Sequence, residues 1–177
     1  MSGHGHVDPS NKKIALLISI LALLLAISET MSKAYQTEVL TKQIEASNLW
    51  SFFQAKTIRS TVTKLTAETT QLTGKASDPK TASALEKWDA AAKRYDSEPE
   101  TGEGKKELME KAKAHEHERD MALRQDPWFD YAEALLQIAI VLTSVAILTG
   151  AHVLFWVPCA LGLLGIFSTL NGFLLLI

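Results

Sequence analysis

The chain has 177 residues, of which 47% are hydrophobic and 21% charged, with a formal net charge of −2 and a single cysteine. Near-balanced charge excludes the net basic face that proteins use to hold nucleic acid. A lone Cys159 excludes an intramolecular disulfide and gives no redox argument about compartment.

Residues 1–11 read as a disordered tail. If Met1 is removed, Ser2-Gly3-His4 becomes a tripeptide able to chelate Cu(II), but such ends arise by accident and the plain tail is the better reading. Residues 12–31 form the first candidate transmembrane helix. Ile14–Ile27 is a run of 14 apolar or small residues behind Lys12 and Lys13, about 21 Å long at the helical rise per residue. Ser28 to Met31, with Glu29 snorkelling, extend it toward bilayer thickness. A secretory signal peptide cut after Ala26-Ile27-Ser28 is the competing reading. Against cleavage, the polar sequence beyond Ser28 continues a helical pattern without a turn residue.

Residues 32–130 read as a helical module outside the bilayer, with helices at about 32–73, 79–97 and 105–125. Neither glycine nor proline falls between Ser10 and Thr73, so the first helix can run on as one rod until Gly74. Its stretch Ile58-Val62-Leu65-Thr69-Leu72 alternates steps of four and three, as packing seams do. The seam is short and diluted with threonine, which argues against a long autonomous coiled coil. Asp78-Pro79 opens the second helix with an N-cap acid and a proline at the first helical position. Ala82, Leu85, Trp88, Ala92 and Tyr95 line one of its faces. Pro99 to Gly104 is a loop by composition. The third helix is dense in Glu and Lys, with a thin stripe of Leu108, Ala112 and Met121. No strand-like alternation or internal repeat appears.

Asp126-Pro127 repeats the acid-proline device and predicts a new helix start before the second span, residues 131–149. Trp128, Phe129 and Tyr131 follow where a helix would meet lipid headgroups. From Ala134 to Ile177 there are 44 consecutive positions without Asp, Glu, Lys or Arg, enough for two spans of about 20 residues each and a turn. Gly150-Ala151-His152 is the expected break, residues 153–176 the third span, and Pro158 a kink near its start. The fold class is therefore an all-α membrane protein, with three transmembrane helices and a helical extramembrane bundle between the first and second. Lys12 and Lys13 are the only basic residues in a short segment, so the positive-inside rule places the N-terminus in the cytoplasm and the module outside. Lys33, Lys42, Arg119 and Arg124 argue for the opposite orientation.

Several residues are candidates for function. Trp50, Phe52 and Phe53 form an aromatic group that can bind a partner; the competing reading buries Trp50 and Phe53 against Leu85, Trp88 and Tyr95 and leaves Phe52 for a neighbouring subunit. Lys56 and Arg59 share a helical line with Glu45, Asn48 and Phe52 and could hold an anion or lipid headgroup, although a solvated charged face is the plainer account. In the hairpin, Ala146 with Gly150 and Gly162 with Gly165 read as small-residue packing surfaces. Gln137 or Asn171 could donate across such a contact, or line a pore. No ionisable residue lies mid-span, which disfavours a pump or carrier. His115 and His117 stand two apart, the wrong spacing for joint metal binding on a helix; His115 with Glu118 or Arg119 is a surface contact. No metal, cofactor, catalytic residue or small-molecule substrate is expected, and the absence of a phosphate loop, nucleophile elbow or zinc motif points away from an enzyme.

Three stretches, Ile44-Glu45-Ala46-Ser47-Asn48-Leu49-Trp50-Ser51-Phe52-Phe53-Gln54-Ala55-Lys56, Ser97-Glu98-Pro99-Glu100-Thr101-Gly102 and Phe129-Asp130-Tyr131-Ala132-Glu133-Ala134-Leu135-Leu136-Gln137-Ile138-Ala139, together resemble a bacterial membrane-protein family known as a domain of unknown function, number four-three-three-seven. The resemblance covers nearly the whole chain and implies a Gram-negative-type cytoplasmic membrane with this same architecture. It implies no activity, substrate or site residue. The expectation is an interaction protein that forms a homo-oligomer or joins a larger membrane complex through its helical module. The alternative is a channel-like or transport-accessory oligomer with hairpin polar residues facing a pore.

Overall fold

A computed structural model describes residues 9–73, 78–149 and 156–175, and every element among them is an α-helix: α1 (Pro9–Leu72), α2 (Pro79–Asp96), α3 (Lys105–Thr149) and α4 (Trp156–Leu174). Gly74, Gly150, His152 and residues 1–8 lie outside the described residues. α1 begins at Pro9, inside the expected tail, because proline is suited to the first helical position. It then runs unbroken through a stretch that offers no glycine or proline to stop it. α2 is capped as its sequence requires: the Asp78 carboxylate accepts from the Thr81 backbone N–H at 3.2 Å.

One expectation is corrected. Asp126-Pro127 does not start a helix; α3 passes through Pro127 without interruption. A proline inside a helix loses one backbone hydrogen bond and crowds the preceding turn, a cost of about 3 kcal/mol. Here the turn is gripped from outside. Both Asp126 and Asp130 reach Ser32 of α1, and Phe129 stacks on Tyr35 with ring centroids 5.3 Å apart. The third helix of the expected module and the second apolar segment are thus one rod. Three helices, α1, α3 and α4, contain stretches long and apolar enough to cross a membrane.

The described helices divide into two compact units. The first joins α1 up to Val39, α3 from Asp120, and α4; the second is Leu40–Arg119. In the first unit Leu21, Leu136 and Ala139 form the buried centre, with Leu17, Leu24, Leu25, Ile140 and Leu161 packed around it. The pairings run in order along the helices. Ser28 bonds Thr169 at 3.0 Å, and the Ser168 hydroxyl donates to the Trp128 carbonyl at 2.6 Å. Phe129 meets Phe173 edge-on at 5.0 Å. α3 is therefore antiparallel to both α1 and α4.

α4 approaches closely because it carries glycine at its contacts. A Cβ on Gly162 would come within 2.9 Å of the Leu21 side chain, one on Gly165 within 2.8 Å of Leu136, and one on Gly172 within 2.7 Å of the Phe129 ring. Absence of a side chain at these points lets backbones come together, the device by which apolar helices associate where water supplies no driving force.

In the second unit α2 and α3 lie one after the other along the same side of α1. Asp96, at the end of α2, meets Ser60 at 3.3 Å and Lys64 at 3.0 Å, while Leu85 and Trp88 share a groove with Thr63, Ala67 and Gln71. α3 takes over where α2 ends: Glu103 lies 3.7 Å from Lys56, and Glu118 lies 2.9 Å from Lys42. The crossover between α2 and α3 is fixed by Glu107, which accepts from the Ser97 hydroxyl at 2.6 Å and the Glu98 N–H at 3.1 Å. Gly102 supplies the left-handed backbone turn there, with φ of 66°. The result is two helices deep, with one side of α1 covered and the other bare.

Candidate interaction surface

The aromatic group of α1 is divided by this geometry. Trp50 and Phe53 are half-buried and meet edge-on at 5.4 Å, and the Trp50 indole N–H donates to Glu116 of α3 at 2.8 Å. Trp50 packs toward α3, whereas Leu85 and Trp88 stand beside Thr63 to Gln71, several turns away along α1. Phe52 stays exposed.

Lys56 is not a solvated cation. It is 7% exposed, and its ammonium lies over the Phe52 ring at 5.4 Å and the Tyr95 ring at 5.6 Å, with Glu103 at 3.7 Å. Ring faces attract a desolvated cation through their quadrupole, so Phe52, Tyr95 and Glu103 together replace the water that Lys56 gives up. Arg59, one turn on, is exposed. The two cations therefore do not form a joint anion site, and Lys56 serves to fasten the end of α2 to α1. No signal in the sequence marked Tyr95 and Glu103 as its companions, because both come from other elements.

Charge pairs finish the covered side. Asp96 sits between Lys105 at 2.7 Å and Lys64 at 3.0 Å, and hydrogen bonds from both, Lys105 first, hold its carboxyl down to about 2. Lys42 bridges Glu118 and Glu45, which raises its pKa through those hydrogen bonds. His115 lies 3.2 Å from both Glu45 and Glu118. Among the described residues no group of three or more such side chains is arranged to hold a metal ion.

The first unit holds a polar set that sequence reasoning missed. The Ser32 hydroxyl oxygen lies 3.1 Å from Asp126 and 2.7 Å from Asp130, and accepts from the Gln36 amide at 3.1 Å. A serine hydroxyl carries one proton, so it cannot donate to two ionised carboxylates at once. Burial, aided by the charge of Asp130, raises the pKa of Asp126 above the ordinary carboxylate value. The readable signal was spacing: Ser32 and Gln36, like Asp126 and Asp130, stand four apart on one helical face.

The hairpin candidates occupy different surroundings. Gly162 and Gly165 are the close-approach points on α4, and Ala146 is buried. Gln137 is exposed and donates to Glu133 of its own helix at 2.8 Å. Asn171 is 1% exposed, inside the packing of a single chain. Gln137 and Asn171 therefore do not share a surface.

A protein-family model described as Domain of unknown function (DUF4337) matches residues 10–175. No curated protein and no solved structure matches the chain.

Proposed function

The chain belongs to the DUF4337 family, whose description carries no activity, and from that premise we propose a membrane-anchored interaction protein. In this reading it crosses the cytoplasmic membrane of a bacterium three times, with the N-terminus in the cytoplasm and the second unit outside. It self-associates or joins a larger membrane complex, and it is not an enzyme. The lipid contact is supported by large apolar side chains exposed around the first unit, among them Leu16, Leu23, Val141, Leu148 and Leu163. A bilayer accepts such surface at no cost, whereas water does not.

The observation that carries association is in the second unit. There α1 exposes Leu40, Ile44, Ile58, Val62, Leu65 and Leu72, each at 57% or more. Single exposed apolar residues are ordinary, but six along one side of one helix outside the apolar segments are a concentration of the kind that marks interfaces. Native mass measurement of the detergent-solubilised protein tests this. An oligomer or a retained protein companion is expected, and Phe52→Ala should reduce its recovery. A monomer with no companion, released gently from its own membrane, overturns the proposal.

A further inference from the structure

We propose that the bare side of α1 docks against the same side of a second copy of this chain, with the two helices parallel and in register. The proposal rests on the association reading above and names its surface and its partner.

The surface has a seven-residue period. Ile44, Ser51, Ile58, Leu65 and Leu72 follow one another at intervals of seven. Asn48, Ala55, Val62 and Thr69 fall four residues after each of the first four, and all nine positions are exposed. Alternating steps of four and three are the pattern that keeps a seam facing a partner helix over several turns. The helix cannot turn this seam inward, because Ala46, Lys56 and Ser60 on its other side are buried against α2 and α3.

Residue choice selects the partner. In heptad terms Asn48, Ala55, Val62 and Thr69 take the a positions, and the leucine- and isoleucine-bearing set takes d. A β-branched residue at a with leucine at d, as in Val62 with Leu65 and Thr69 with Leu72, favours two strands, and one buried asparagine at a fixes register. Asn48 meets its own copy only when the two chains are parallel and unshifted. Flanking charges agree with that arrangement. Parallel pairing brings Gln54 to Arg59, Thr61 to Thr66 and Ser47 to Phe52 of the other copy, with no like charges opposed. The Gln54 carbonyl can accept from the Arg59 guanidinium. Exposed Phe52 would then cover the edge of the seam.

The size of the contact says when it forms. The 29 residues from Ile44 to Leu72 span about 43 Å, and a strip about 10 Å wide gives about 430 Å² per copy. Two copies bury about 860 Å², below the ~1,200 Å² at which stable complexes begin. The seam is therefore too small to hold two free molecules, and it needs both copies anchored in one bilayer. α1 carries the seam and the first apolar segment on one continuous helix. Copies inserted in the same sense thus present their seams parallel and at raised local concentration.

The test is site-directed cross-linking of the full chain in membrane vesicles, in a Cys159→Ser background. Ile58→Cys and Leu65→Cys probe the seam, and Lys87→Cys on exposed α2 is the control. Both seam variants should form disulfide-linked dimers about tenfold faster than the control, since a disulfide requires Cα atoms within about 7 Å. Leu65→Glu, an exposed position whose change leaves the fold intact, should abolish the cross-link at Ile58→Cys. Seam variants that link no faster than the control overturn the proposal. If native mass still shows an oligomer in that case, the association reading survives and another surface carries it. If native mass shows a lone monomer, both fall.

Discussion

Both units expose large apolar side chains, far more of them in the first, and the exposure has a different pattern in each. In the first unit it goes around the helices: Leu16, Leu23 and Ile27 of α1, Ile138 and Val141 of α3, and Leu163, Leu164 and Phe167 of α4 are all open. In the second unit it is confined to one line on α1; α2 and α3 bury Ala92, Leu108 and Ala112, half-bury Leu85 and Trp88, and are rich in charge on their exposed faces. The glue differs as well. The first unit is joined by glycine contacts and hydroxyl hydrogen bonds, the second by ion pairs laid along one side of a helix. Surface open on every side suits a solvent of hydrocarbon, whereas a single stripe suits one neighbour.

The largest test of the first unit is its aromatic stack. Phe129 is fully buried between Tyr35 and Phe173, so Phe129→Ala should cost about 3–5 kcal/mol. Thermal unfolding in detergent reads the loss, and an unchanged midpoint would mean that the turn around Pro127 is held by something else. The sharpest test of the comparison itself is a matched pair. Leu164 and Val62 are about equally exposed, at 54% and 57%. Leu164→Asp should impair membrane insertion by about 2.5–3.5 kcal/mol. Val62→Asp should leave insertion alone and change stability by less than about 0.5 kcal/mol in the uncomplexed chain. Insertion measured by glycosylation mapping would erase the distinction if both variants behaved alike.

The smallest effects are in pH dependence, where the two units should move in opposite directions. Asp96 has a folded pKa of about 2, below its ordinary 3.8. Its contribution to the second unit is present above about pH 4 and is lost as pH falls toward 2. Asp126 is shifted upward from 3.8, so its contribution to the first unit is in place below that value and declines as pH rises through the raised one. Hydrogen exchange followed across acidic pH should show the second unit opening first on acidification. Asp126→Asn should remove the alkaline-going loss in the first unit, and a variant that kept it would assign that loss to another group.

Much of this was legible along the chain. The absence of breakers between Ser10 and Thr73 foretold a single long rod, and the charge-free last 44 residues foretold paired apolar segments. Gly162 and Gly165 were recognisable as contact points from their spacing. The reading stopped where partners come from elsewhere in the chain. Pro127 looked like a helix start because a local rule takes no account of Ser32 and Tyr35 holding its turn. Lys56 looked solvated because Phe52 is near in sequence but Tyr95 and Glu103 are not. Trp50 was matched to the aromatic face of α2, when α3 is the helix that lies beside it.

By itself the sequence determined where helices run and how apolar each one is, since breakers and hydropathy act within a few turns of backbone. It also wrote the heptad on α1. Tertiary structure alone decided which side of α1 α2 and α3 would cover, and so left that heptad bare. A helix of given period can present any face to a neighbour, and only packing between residues far apart in the chain chooses one.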